Sequence, residues 1–345
     1  MGIEAATTSS MDLRRTALAE YAARALGLRA AELTPASGDA SFRRYFRVSP
    51  ASGAGVIAVD APPEHESLAR FVHIAAALGN LGLHVPRVIA RDLDRGFALL
   101  SDLGCETYLM RLEAGGDPAP FYVAAIEALV RLQGWAEPDL PAYDATLLDT
   151  EMRLFEDWLL ERHLGLDLDD RERGIITRIR ERLAGLALAQ PMVAVHRDYH
   201  SRNLMTCAPL PGILDFQDAV IGPVTYDLVS LLKDCYIAWP RERVFEWLRT
   251  YRECALAVGL PVGANEKQFL HWFETMGMQR HLKAAGIFAR LRHRDGKQDY
   301  LGDIPRTLNY VVEAASALPE FAPFGNFLIA RVMPVLDEAA ARCAQ

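Results

Sequence analysis

The chain has no Cys-x-x-Cys pair, no apolar run of membrane-spanning length and no excess of positive charge, and each absence removes a class of function. Its five cysteines, at 105, 207, 235, 254 and 343, are odd in number and widely spaced, so neither a disulfide framework nor a cysteine-held zinc is indicated and a reducing compartment is expected. Met1 to Ser10 has no basic region followed by an apolar core, so a cytoplasmic protein with no membrane partner is expected. A net charge of −8 takes away the basic surface that general nucleic-acid binding needs to displace counterions. Internal repeats and low-complexity tracts are also missing. What remains is a composition ordinary for a folded protein, 51% hydrophobic and 24% charged over 345 residues, long enough for two lobes.

Against that plain background one segment stands out: His196-Arg197-Asp198-Tyr199-His200-Ser201-Arg202-Asn203, followed by Asp215-Phe216-Gln217. A carboxylate, an amide five positions on and a second carboxylate twelve residues later form the arrangement of a phosphoryl-transfer site. Such transfer needs positioning more than covalent help. Asp198 is the candidate to orient an acceptor hydroxyl and take its proton, while Asn203 and Asp215 offer the hard oxygens that Mg2+ prefers when it also holds nucleotide phosphates. Each residue alone reads better as part of a surface turn or, for Asp215, as a strand-end carboxylate; together they point to one mechanism. His196 and His200 have a zinc-like spacing of four, but the Glu of a His-Glu-x-x-His motif is missing.

The flanking pattern predicts two short strands, Met192-Val193-Ala194-Val195 and Gly212-Ile213-Leu214, on either side of this loop. Upstream, apolar spacing predicts a helix over 12–28, strands over 45–48 and 56–59 joined by a Pro/Gly/Ser-rich turn, a helix over 66–81 and a strand over 97–100. Downstream the pattern is mostly helical, over 120–133, 150–164, 171–188, 225–238, 241–258 and two long segments after Glu266. The implied fold is α+β and bilobal: a small β-rich N-lobe over 1–100, a hinge at 101–104 and a larger helical C-lobe over 105–345.

The motif is not that of a protein kinase, since Asp215-Phe216-Gln217 replaces Asp-Phe-Gly and the loop lysine is absent. With Gly222-Pro223-Val224-Thr225-Tyr226-Asp227-Leu228 downstream, it resembles the aminoglycoside phosphotransferase and choline kinase superfamily. The resemblance extends over nearly the whole chain to the anomeric amino-sugar kinases of bacterial cell-wall recycling, through 38–45, 60–64, 215–226 and 282–291. It implies a kinase-like fold and phosphorylation by Mg-ATP of the anomeric hydroxyl of N-acetylmuramate and N-acetylglucosamine, the sugar 1-phosphate then passing to a nucleotidyltransferase. It also implies roles. Ser41, Phe42 and Arg43 or Arg44 would cover the phosphates, and Ser101, Asp102 and Leu103 would contact adenine. From the residues themselves, Arg202 could bind the substrate or the transferring phosphate or pair with a loop carboxylate, and Asp218 could contact sugar or metal or cap local structure beside Asp198. Other acceptors (an aminoglycoside, an amino alcohol, another sugar) and a silent nucleotide-binding regulator stay open.

The regulator reading comes from a missing lysine. A kinase strand carries one near the position where this chain has Asp60, so charge for the phosphates must come from elsewhere, with Arg43 and Arg44 nearest. Glu64 and Glu66 read as first-turn acids of a helix or, alternatively, as the helix carboxylate that orients that cation, and Asp227 reads as a cap at a helix start. The basic stretch 279–297, with Arg280, His281, Lys283 and Arg290, reads as a solvated helix face or, alternatively, a receptor for an anionic sugar. Trp272, Phe273 and Phe288 read as core.

Overall fold

The computed structural model describes residues 2–36, 43–48, 55–64, 67–136 and 138–343. The chain divides into two compact units, Met1–Asp117 with Arg202–Gln217, and Pro118–Ser201 with Asp218–Gln345. Ser41 and Phe42, most of the segment expected as a Pro/Gly/Ser-rich turn, and Glu66 lie outside the described residues.

The first unit opens with α1 (Gly2–Leu26), β1 (Leu33–Pro35), β2 (Arg44–Val48), β3 (Val56–Asp60), α2 (Leu68–Asn80), β4 (Val88–Asp92), β5 (Phe97–Ser101) and α3 (Tyr108–Glu113). The strands form one antiparallel sheet in the order β1-β2-β3-β5-β4. Successive side chains alternate across it, and α1 covers one face: Leu18 and Ala22 pack on Phe46, Val48, Val56, Ala58, Phe97 and Leu99. The helix expected over 66–81 is α2, which starts later because the Ser67 hydroxyl accepts the Arg70 amide at 3.3 Å and caps it. β1 and β4, three and five residues long with partly exposed faces, give little apolar signal and escape the sequence reading.

Four short strands follow: β6 (Met192–Val195), β7 (Leu204–Met205), β8 (Gly212–Ile213) and β9 (Val220–Pro223). Those expected at 192–195 and 212–214 are present, but each pairs with a neighbour rather than with the other. β6 pairs with β9 in the second unit, β7 with β8 in the first. The β7–β8 hairpin is held within the first unit by the Ile213 amide donating to the His84 carbonyl at 2.8 Å and by the Thr206 hydroxyl donating to Glu106 at 2.7 Å.

The second unit is helical around β6 and β9: α4 (Pro118–Gln133), α5 (Ala145–Leu154), which continues as π-helical turns over Phe155–His163, α6 (Asp170–Leu188), α7 (Tyr226–Leu232), α8 (Arg241–Ala257), α9 (Glu266–Asp295) and α10 (Ile304–Ala317). α7 is about half the expected 225–238. Lys233 leaves helical geometry, and the Asp234 carboxylate then caps the Tyr236 amide at 2.9 Å while holding the Ser201 amide at 2.9 Å. α9 crosses the end of α5 at Gly286, where a Cβ would stand 2.3 Å from the Leu154 carbonyl carbon, so only glycine allows the approach.

Candidate active site

The second unit holds Asp198 on a loop fixed from several sides. Tyr199, fully buried, donates its hydroxyl to the Ala125 carbonyl of α4 at 2.8 Å. Asp227 accepts the amides of His196 at 2.6 Å and Arg197 at 3.0 Å, and Asp234 accepts that of Ser201. The His196 ring accepts the Asp198 amide at 3.3 Å. Asp227 therefore does not cap its own helix, as its position suggested; it ties α7 to the loop before Asp198. Burial pushes its carboxyl up to about 7, against the pull of the two amides. Arg197 adopts a φ of 79°, a strained value for a residue with a Cβ and one held by these bonds.

Below the loop lies a buried charge network. Glu151 of α5 accepts hydrogen bonds from Arg197, from the Tyr143 hydroxyl and from Lys283 of α9 at 2.9 Å. Lys283 also donates to the Tyr226 hydroxyl at 3.0 Å. Arg280, 5% exposed, lies one turn back along α9. Burial alone would push the Asp198 carboxyl up, but Lys283, His200, Arg197 and Arg280 outweigh it and hold it below the usual carboxylate range. Asp198 is thus ionised at neutral pH.

The expected solvated face over 279–297 holds only at its C-terminal end, where His293 and Arg294 are exposed; Arg280, His281 and Lys283 are buried. His281, pushed down to about 3 by burial and by Arg280, is neutral, and its Nε2 meets the Lys233 carbonyl at 2.8 Å. Phe273 and Phe288 are core, as expected, and Trp272 is half-buried. Sequence reasoning missed Glu151, Tyr143 and Asp234 as supports. Their partners lie 8 to 132 residues away along the chain, and nothing local marks them.

The first unit carries Asn203 and Asp215 at the same end of the β7–β8 hairpin, where the Leu214 amide donates to the Asn203 carbonyl at 2.9 Å. Asp215 is exposed, with a φ of 61°, and its Oδ1 accepts from the Gln217 side chain at 2.7 Å, a bond that the glycine of a protein-kinase Asp-Phe-Gly could not make. Phe216 is buried and stacks on Phe71 of α2, centroids 4.9 Å apart. The oxygen donors of Asn203 and Asp215 suit Mg2+. No group of three or more His, Cys, Asp or Glu side chains able to hold a metal occurs among the described residues.

At the connector, Arg47 donates to Asp102 at 2.6 Å and to the Gly104 carbonyl at 3.1 Å. The Ser101 amide and hydroxyl are both engaged with the backbone of Arg87, at 2.9 Å each. The Asp102 amide donates to Gly55 at 3.1 Å. The Leu103 amide and carbonyl have no partner among the described residues. Arg43 is buried against Phe71, Arg44 is bonded to Asp60, Arg202 is half-buried and Asp218 is exposed, with its carbonyl 3.5 Å from Arg197. Ser41 and Phe42 lie outside the described residues.

Comparison with known proteins identifies the family and the fold. Residues 32–261 match the phosphotransferase enzyme family. The chain is 48% identical over 299 residues, 86% of its length and 88% of the other's, to the N-acetylmuramate/N-acetylglucosamine kinase of Pseudomonas aeruginosa. Among solved structures, Plasmodium vivax ethanolamine kinase superposes with a TM-score of 0.58 at 14% identity, over 85% of this chain and 83% of that one. The ADP-bound aminoglycoside phosphotransferase APH(2'')-Ib gives 0.57 at 15%, over 86% and 98%. The fold is thus the protein-kinase-like fold of those enzymes, with a sheet-bearing N-terminal lobe and a helical C-terminal one. No described helix is long and apolar enough to cross a membrane. With the family profile matched across two thirds of its length and a relative at 48% identity over most of both chains, this chain belongs to the phosphotransferase enzyme family.

Proposed function

We propose that the protein transfers the γ-phosphoryl group of ATP to the anomeric hydroxyl of N-acetylmuramate and N-acetylglucosamine, giving the sugar 1-phosphate. The observation that carries this is the 48% identity to a kinase of that name, across a chain that keeps Asp198, Asn203 and Asp215. Asp198, held ionised by its cations, accepts a hydrogen bond from the acceptor hydroxyl and points its oxygen at the phosphorus, taking the proton as the new bond forms. A carboxylate kept so acidic is a weak base, which suits a loose transition state in which the proton leaves late and orientation does most of the work. Asn203 and Asp215 hold Mg2+, which neutralises charge developing on the phosphate oxygens when bound. The backbone of 101–103 receives adenine, Ser41 and Phe42 belong to the loop over the phosphates, and Arg202 and Asp218 meet the sugar.

The product would feed an enzyme that activates a sugar 1-phosphate with a nucleotide. Incubation with Mg-ATP and each sugar, followed by ADP release and phosphorus NMR, tests the reading. A sugar 1-phosphate resonance supports it. ADP release with neither sugar, while another alcohol is phosphorylated, overturns the acceptor.

A further inference from the structure

The strand position of the missing lysine is not on the face where a nucleotide would need it. Asp60 ends β3 and is fully buried, and it faces α1: Arg14 donates to it through Nε at 2.9 Å, and Arg44, directly opposite on β2, through Nε at 3.1 Å. Phe46 and Val48 lie on this same face with Val56 and Ala58, under α1. Arg44 is thereby committed to the α1 side of the sheet, as half of an Arg-Asp-Arg cluster.

Alternation along β2 sends its other residues the opposite way. Arg47 reaches the connector, at Asp102 and Gly104. Arg43, two pairs of residues earlier on that face, donates to the Tyr45 hydroxyl at 3.2 Å and lays its guanidinium over Phe71, 5.4 Å from the ring centroid. Phe71 in turn stacks on Phe216, the neighbour of Asp215. Connector, Arg43 and the Asp215-Phe216 turn thus share one side of the sheet within the first unit, and a guanidinium held over an aromatic ring keeps its donors near one place.

We infer that Arg43, at the entry to the strand next to the usual one, supplies the positive charge for the nucleotide's phosphates, and that Asp60 is a counter-ion that sequesters Arg44 and Arg14 rather than a relic of a lost site. This rests on the reading of ATP as phosphoryl donor.

Calorimetric titration of the full chain with Mg-ADP, the non-hydrolysable Mg-AMPPNP and adenosine separates the two arginines. The wild type binds both phosphorylated nucleotides more tightly than adenosine. Arg43→Gln loses roughly 10- to 100-fold for the nucleotides, the scale of one lost charge-assisted contact, and keeps its adenosine affinity. Arg43→Lys recovers part of the loss. Arg44→Gln keeps nucleotide affinity within about 3-fold and instead lowers the melting temperature, as breaking a part-buried ion pair should. Equal losses for adenosine and ADP in Arg43→Gln, or a phosphate-specific loss in Arg44→Gln, would overturn the assignment. A wild type that binds neither phosphorylated nucleotide would sink the ATP reading itself, and this inference with it.

Discussion

Removing the carboxylate of Glu151 should damage the protein far more than removing a surface acid. Glu151 is 6% exposed and accepts from Arg197, Lys283 and Tyr143, so Glu151→Gln keeps the shape but leaves two buried cations facing each other. Breaking a buried pair by deleting one partner costs about 3–5 kcal/mol, chiefly the desolvation of the charge left behind. For a unit of this size each kcal/mol moves the melting temperature by about 2–4 °C, so a drop of roughly 6–20 °C is expected. Burial pushes the Glu151 carboxyl up, yet Lys283 and Arg197 pull it below its ordinary value. A depressed carboxyl stabilises the fold above its unfolded pKa and loses that contribution as pH falls through the lower folded one, so the gap between wild type and Gln variant should narrow on acidification below about pH 4. Guanidinium denaturation at pH 7 and pH 3.5 reads both effects. The double variant Glu151→Gln with Lys283→Met should recover part of the loss, because one stranded charge is gone. A loss under about 1 kcal/mol at pH 7, the scale of an exposed pair, would refute the claim that this network supports the catalytic loop.

Asp198→Asn should bind Mg-AMPPNP nearly as the wild type does while its kcat falls by at least about 100-fold, whereas Asp215→Ala should weaken Mg-nucleotide binding itself; equal binding losses in both would reject the separate roles. Asp227, raised to about 7, binds its proton more tightly folded than unfolded, so its stabilising contribution is full below about pH 4 and fades as pH rises toward 7. Relative to Asp227→Asn, the wild type should therefore lose stability over that window, by an amount of the order of 4 kcal/mol in denaturant titrations, and a pH-independent difference would contradict it. In an open helix Gly286→Ala would stabilise by up to about 1 kcal/mol, but here the methyl meets the backbone of Leu154 and Phe155, and a loss of about 1–3 kcal/mol by thermal melting is expected. A stabilised Gly286→Ala variant would show that α9 and α5 are not in such close contact.

The sequence by itself determined the family and much of the framework. Asp198, Asn203 and Asp215 sit close along the chain, with the turn residues and short apolar runs that such a loop requires, so their spacing was legible without any fold. Long helices with a clear apolar face, α4, α6 and α8, were read nearly to their ends for the same reason: the 3.6-residue repeat is a local property. Local patterns could not say which strand pairs with which, and β6 and β8 found separate partners. They also gave α7 twice its length, because the bond from the Ser201 amide to Asp234 that accompanies its end comes from 33 residues earlier. The basic stretch of α9 looked like a solvated face because its acidic partner, Glu151, lies 132 residues away in sequence, and only packing across Gly286 brings the two together. In the same way the sequence put two arginines side by side at 43 and 44 and could not choose between them. The pleat of β2 did, by turning one toward Asp60 and α1 and the other toward Phe71, since neighbouring residues on a strand must face opposite sides of the sheet.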